Sequence, residues 1–482
     1  MNLLKKSLTA FSVFVLVLFQ IIAQAPDEIS VIPPSPTAAS LGTYGEFPVS
    51  LYTGTPNINI PIYNIQVGDF SLPISLSYHA SGIKVEQMSG WVGLGWSLNA
   101  GGVITRSVRG LNDIDSGYGY DRFGTSVMED LATAGAFEGQ DLTYLRSYLL
   151  GHLDGELDMF YYNFGNESGQ FIKDGNQGKT FPKSNLKIEY NQISGTTSEW
   201  MITTSDGTIY TFAVQEDTYS ANANNKTKFT SSWYLEHIQL TNGQEIDFIY
   251  DEGYSDVGDD DFDQQPIFID EIITSPVPPF QACANPLGVS DISYASSLGR
   301  VYIQTLKRID FPTGTILFNS TASRADIKRS SVTGTANLQP RGKRLNEIQV
   351  WNLQSKVHQI DLTYDYFTDD QRSKINTGGQ HINMFNNGLI EEDRFRLRLD
   401  EVELDDKIYS FQYKNPDAIP SYYSLDQDIW GYPNTNKENG ILTRINFPTG
   451  GYTDFEYEPN KYSNFANQFV NQTVYSLISN YD

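Results

Sequence analysis

The chain has 482 residues, 39% of them hydrophobic and 19% charged. That is enough apolar material to build a core and excludes global disorder; at roughly 100–200 residues per domain it implies several domains or one repeat array. With 33 Lys+Arg against 58 Asp+Glu the net charge is -25, which argues against a nucleic-acid or anionic-membrane partner, and the single cysteine, Cys283, excludes an internal disulfide framework. Thirty tyrosines, 27 phenylalanines and 39 glycines favour strands and turns over helices.

The N-terminus reads as a secretory signal peptide. Lys5 and Lys6 precede an apolar run, Leu8 to Ile22, and Ala23 and Ala25 supply small residues for cleavage. The run is short for a bilayer span of about 20 residues. Cleavage after Ala23 avoids a proline just past the cut, so residues 1–23 are assigned to the signal. Its removal takes away two lysines and moves the net charge from -25 to -27. No later stretch is apolar enough to span a membrane. The expected location is secreted, extracellular or at the cell surface.

Residues 24–40, with Pro26, Pro33, Pro34 and Pro36, read as an extended linker. An N-terminal β domain is expected over 41–216. In it, Ile58-Asn59-Ile60-Pro61-Ile62 and Leu72-Pro73-Ile74-Ser75-Leu76 alternate at period two, and the prolines suggest an edge or a strand start. Residues 90–102 are glycine-rich around Trp91 and Trp96, so a tight turn pinned to a core is expected. Residues 127–153 have helical spacing in Leu142, Leu145, Tyr148 and Leu149, which predicts a small helical insertion. Aromatic alternation then resumes at Met159–Phe164, Trp200–Ile202 and Thr208–Phe212, the last two flanking a turn at Asp206-Gly207. Residues 219–229 read as a loop. The Asp-rich 254–266, the Pro- and Ser-containing 275–300 and the polar 369–393 read as irregular excursions.

From 233 to 458 a degenerate unit recurs. It opens on Leu-x-x-Ile or Leu-x-x-Val at Leu235/Ile238, Leu306/Ile309, Leu345/Ile348, Leu399/Val402 and Leu442/Ile445. A turn follows. It closes on an apolar-x-aromatic step ending at Tyr250, Phe318, Tyr364, Tyr413 and Tyr457. The closing aromatics are 68, 46, 49 and 44 residues apart, and the long first interval contains the Asp- and Pro-rich excursion. Each unit reads as strand, turn, strand with one apolar face. A lone hairpin cannot bury that face, so neighbours must stack. The fold class is therefore all-β: antiparallel hairpin repeats forming a curled sheet or shell, with a β-propeller as the alternative.

Tyr250-Asp251 and Tyr364-Asp365 look like the YD repeat of the RHS family of secreted bacterial proteins, from which Tyr413-Lys414 and Tyr457-Glu458 depart. The segment Gly90-Trp91-Val92-Gly93-Leu94-Gly95-Trp96-Ser97-Leu98, with Gly101-Gly102-Val103-Ile104-Thr105-Arg106 after it, resembles the N-terminal region of Gram-negative YD-repeat proteins and of insecticidal toxin complex B components. So do Asp158–Phe164 with Ser168-Gly169-Gln170-Phe171, and the stretch 200–212. The resemblance implies a toxin-related, surface or secreted β shell that is structural rather than catalytic. It also implies that the variable C-terminal toxin has no counterpart here, so that 459–482 is a truncated tail and a partner is a C-terminal effector encoded downstream. Surface glycans are the alternative partner, for an extracellular adhesin or carbohydrate-binding protein. An extracellular hydrolase is a third reading.

No catalytic, cofactor-binding or metal site is assigned from sequence, and no cofactor is implied. His79, His152, His237, His358 and His381 show no zinc spacing. Ser97 lacks the last glycine of a nucleophile elbow and reads as a turn residue. Gly175–Thr180 has too few residues between its glycines for a phosphate loop, and Phe181-Pro182 breaks any helix start. Asp256, Asp259, Asp260, Asp261 and Asp263 miss the EF-hand pattern and read as a solvated loop, with calcium as the alternative.

Overall fold

The computed structural model describes residues 55–114, 146, 156–195, 197–221, 226–251, 268–272, 293–301, 303–326, 342–369, 394–421, 424, 427–428 and 430–457. The described strands are all antiparallel. The signal peptide, the 24–40 linker, the Asp256–Asp263 cluster and the 459–482 tail lie outside the described residues, as does the 127–153 insertion except for Arg146, which is helical. Two compact units are present. Of the described residues, the first unit takes 101–312 and the second takes 55–100, 313–326 and 342–457.

The second unit opens with a three-stranded sheet: β1 (Ile58–Val67), β2 (Phe70–Tyr78) and β3 (Trp96–Asn99), in that order. Strand β1 alternates buried and exposed residues as its sequence dictates. Pro61 sits at a register shift on the edge strand, where the missing N–H costs no ladder bond. Pro73 is on the central strand β2, but β3 pairs only with Ser75–Tyr78, so no partner faces the proline from that side.

The first unit contains a closed ring of eight strands: β4 (Gly102–Ser107), β5 (Met159–Phe164), β6 (Glu167–Asp174), β7 (Gln177–Phe181), β8 (Lys187–Ser194), β9 (Thr197–Thr203), β10 (Ile209–Ala221) and β11 (Lys226–Gln239). Each pairs with the next, and β11 closes on β4 through Ser232↔Thr105, Trp233↔Ile104 and Tyr234↔Val103. A ring of this size has room inside only for side chains or one small ligand. Here aromatics fill it. Trp200 stands 4.9 Å from Phe171 and 5.0 Å from Phe160, centroid to centroid, and 6.2 Å from Trp233. Outside the ring, β12 (Glu245–Asp251) adds to β11, β14 (Ser293–Val301) to β10, β13 (Phe268–Ile272) to β14 and β15 (Thr305–Phe311) to β12.

Two loop expectations are corrected here. Residues 219–221 and 226–229 belong to the long β10–β11 hairpin, because threonine and tyrosine suit strands even among polar neighbours. Residues 293–300 lie in β14.

The second unit resumes with one seven-strand meander: β16 (Gly314–Ala322), β17 (Lys343–Asn352), β18 (Lys356–Phe367), β19 (Arg396–Leu404), β20 (Lys407–Tyr413), β21 (Leu442–Asn446) and β22 (Tyr452–Asp454). Every consecutive pair is hydrogen-bonded. A single continuous meander is the row of hairpins expected from sequence, not the separate four-stranded blades of a propeller. The opening residues Leu345, Ile348, Leu399, Val402, Leu442 and Ile445 are all buried. They are the apolar face of the sheet.

Candidate functional site

Residues 90–100 of the glycine-rich segment lie in the second unit, and their backbone is bonded to the meander at Trp91 and Leu94. The Leu345 N–H donates to the Trp91 carbonyl at 3.0 Å, and the Leu94 N–H donates to the Leu397 carbonyl at 2.8 Å. The Leu442 N–H donates to the Tyr78 hydroxyl at 3.0 Å. Trp96 is 1% exposed, with its ring 4.7 Å from that of Phe411 and 5.2 Å from that of Tyr78. Its indole N–H donates to the Tyr413 hydroxyl at 2.9 Å. Thus β17, β19 and β21 are each held by a hydrogen bond with the 78–96 stretch, and β20 by a ring contact and a hydrogen bond.

Glycine is required where the chain runs closest. Gly93 has φ +104, and a Cβ there would meet the Leu399 amide nitrogen at 3.1 Å; Gly95 has φ +78, and its Cβ would meet the Tyr78 ring at 2.6 Å. Both are left-handed conformations that other residues adopt only with strain.

Two arginines secure the approach to this turn. Arg324 donates to the Gly90 carbonyl at 3.1 Å and the Ser89 carbonyl at 2.9 Å, and is paired with Asp326 at 2.7 Å. Asp326 also accepts the Leu397 N–H at 3.0 Å. Arg396 donates to the Gln87 and Val85 carbonyls at 3.2 and 3.0 Å. The two guanidinium groups thereby satisfy carbonyls of a turning backbone, that of Gly90 also accepting the Gly93 N–H at 3.2 Å.

The closing tyrosines have a common task. The Tyr413 hydroxyl donates to the carbonyl of Leu399 at 2.5 Å, and the Tyr457 hydroxyl to that of Leu442 at 2.8 Å. In the first unit, the Tyr250 hydroxyl donates to the Leu235 carbonyl at 3.0 Å. In each case the last aromatic of a unit fastens to the first leucine of the same unit. Phe318 has no hydroxyl to do so. The Tyr364 hydroxyl is buried without a hydrogen-bond partner among the described residues, and the Arg344 guanidinium lies 5.7 Å from its ring centroid. Burial raises all four tyrosines, Tyr250, Tyr364, Tyr413 and Tyr457, well above the usual phenol value.

The first unit joins two of the sequence stretches noted above. Arg106 and Asp158 are fully buried and paired through Nη2–Oδ2 at 2.5 Å and Nε–Oδ2 at 2.8 Å. Asp158 Oδ1 accepts the Arg109 N–H at 2.8 Å, and Asp113 accepts the Asp158 N–H at 2.7 Å. Arg106 also contacts Asn112. Sequence reasoning quoted Arg106 and Asp158 but did not pair them, since 52 residues separate them. It missed Glu216 altogether. This buried carboxylate accepts the Tyr234 hydroxyl at 3.0 Å and the Ser232 hydroxyl at 3.4 Å.

The remaining candidates are dispersed. Ser97 is not a turn residue: it lies in β3, buried, with its hydroxyl 3.0 Å from that of Ser77. Its alternation with Trp96 and Leu98 places it in the ladder. Gly175, at φ +58, turns β6 into β7, and the residues after it are strand. His237 pairs with Asp247 at 2.7 Å and His358 with Asp405 at 2.9 Å, on separate units. His152 and His381 lie outside the described residues. Among the described residues no three His, Cys, Asp or Glu side chains are grouped to hold a metal, and no helix is long and apolar enough to cross a membrane.

No protein-family model matches the chain, and no curated protein matches it. Solved structures do. The N-terminal domain of the effector protein SpvB from Salmonella typhimurium strain LT2 aligns with 13% identity and a TM-score of 0.31, over 72% of this chain and 98% of that one. TcdB2-TccC3 aligns with 11% identity and a TM-score of 0.36, over 80% of this chain. The Photorhabdus luminescens Tc holotoxin pore aligns with 12% identity and a TM-score of 0.34, over 76%. This chain spans 17% of the TcdB2-TccC3 chain and 16% of the holotoxin chain.

Proposed function

We propose that the chain is a non-catalytic structural part of a secreted or cell-surface YD-repeat, RHS-like protein of a Gram-negative bacterium, a shell element of toxin-related type. The observation that carries this reading is the bonding of the 78–96 stretch to successive strands of the meander. Trp96 packs on side chains of the sheet, the glycines of the stretch allow the close approach and the flanking arginines bond its carbonyls, which is the work of a scaffold. The filled interior of the eight-strand ring supports the same reading, because aromatic side chains occupy the volume in which a barrel would hold a ligand. Export and surface location rest on the N-terminal signal pattern.

The purified chain, offered a panel of polysaccharides and peptides, is expected to give no turnover. Turnover abolished by one carboxylate substitution would overturn the non-catalytic reading.

A further inference from the structure

Beyond the scaffold role, we infer that Arg344 of the second unit is a binding site for a free carboxylate, taken from solution where the next hairpin unit uses its own aspartates. Two units of one meander carry the comparison. Arg344 immediately precedes the opening Leu345, and Arg398 the opening Leu399. Each guanidinium lies 5.7 Å from a ring centroid, that of Tyr364 for Arg344 and that of Phe367 for Arg398. Both strands bulge at the same place. Leu345 and Glu347 pair with the adjacent Ser320 and Asn319, which leaves Asn346 as the extra residue. Leu399 and Glu401 pair with the adjacent Tyr364 and Thr363, which leaves Asp400.

The partners of the two arginines differ. Arg398 holds the Asp400 carboxylate in a fork, Nε donating to Oδ1 at 2.6 Å and Nη2 to Oδ2 at 3.2 Å. Its Nη2 also donates to the cross-strand neighbour Asp365 at 3.0 Å. At the matching positions Arg344 has Asn346 and Thr321, and these bond to each other, the Thr321 hydroxyl donating to Asn346 Oδ1 at 2.8 Å. Arg344 Nε is buried without a hydrogen-bond partner, and among the described residues no carboxylate pairs with the guanidinium.

Tyr364 adds a second buried donor without an acceptor. Its unit is longer than the others: 19 residues separate it from Leu345, against 14 or 15 between the fastened tyrosines and their leucines. The guanidinium therefore keeps its charge with neither the carboxylate fork nor the cross-strand carboxylate of Arg398. Water can fill a hydrogen bond but does not neutralise that charge, and the planar fork matches the two oxygens of a carboxylate. Arg344 is only partly buried, which leaves an approach from solvent.

The test is thermal unfolding of the full chain, followed by circular dichroism, in sodium acetate against sodium chloride of equal ionic strength. Acetate at saturation is expected to raise the midpoint of the wild-type chain by about 2–4 °C over chloride. Arg344→Gln should lose that rise. Asn346→Asp places the missing carboxylate within the chain, so it should unfold at a higher temperature than the wild type in chloride and gain nothing further from acetate. No acetate effect on the wild type would overturn the inference. So would an equal effect on Arg344→Gln and Asn346→Asp, which is a general salt effect. Either result leaves the scaffold reading untouched.

Discussion

Trp96 shows how a single side chain can be read wrongly or rightly from its surroundings. In sequence it sits among glycines, where an exposed binding ring and a buried anchor look alike. In the structure it is enclosed by Phe411 and Tyr78, and its only polar atom reaches Tyr413. Trp96→Ala is expected to lower stability by about 3–5 kcal/mol in denaturant unfolding, from lost burial and the cavity left behind. A loss below about 1 kcal/mol would contradict the anchoring role. The Arg106–Asp158 pair makes a different kind of prediction. Removing one partner strands a buried charge, so Asp158→Ala should cost about 3–5 kcal/mol. The double variant Arg106→Met with Asp158→Leu should cost clearly less than the sum of the singles, since no charge is left unpaired. Additive losses would show that the two groups do not act as a pair. Neither Arg106–Asp158 nor Glu216 was legible in sequence, because the first depends on the pairing of β4 with β5 across 52 residues and the second on the register of β10 against β11.

At the scale of elements, the hairpins were legible because period-two burial and turn residues are local signals. The leucine-isoleucine openings face the core as the pattern requires. The tyrosine fastening was not legible. The spacing marked the closing aromatic, but the reason for a hydroxyl there appears only once it meets the opening leucine's carbonyl. Loop assignments failed where polar residues continue a ladder, as in β10 and β11, because pairing rather than composition decides the conformation. The tyrosines also fix a pH response. Their folded-state values lie above the ordinary 10.0. Above that pH the unfolded chain releases protons that the folded chain keeps, so their stabilising contribution, complete below pH 10, is lost as pH rises. Stability should fall steeply in the alkaline range, and absorbance at 295 nm should register these four phenols only upon unfolding. Their ionisation in a chain that still gives a native circular dichroism spectrum would contradict their burial. At the turn itself, Gly95→Ala should cost about 1–3 kcal/mol from the left-handed backbone alone, and more from the approach to Tyr78. An unchanged midpoint in urea would mean that the turn relaxes freely.

For the whole molecule, the all-β class followed from composition and periodicity, and the single meander of the second unit follows from hairpins linked in chain order. What sequence could not decide was the choice between blades and a continuous sheet, because the same hairpins serve both. The pairing of consecutive strands resolves it, and the 78–96 stretch is bonded to β17, β19, β20 and β21 of that one sheet. Hydrogen–deuterium exchange on the second unit tests this most directly. Peptides covering 89–99 should exchange as slowly as those covering 397–413 and 442–446, and Trp96→Ala should speed exchange in all three together. Rapid exchange of 89–99 in the wild-type chain, with the strands still protected, would contradict the account.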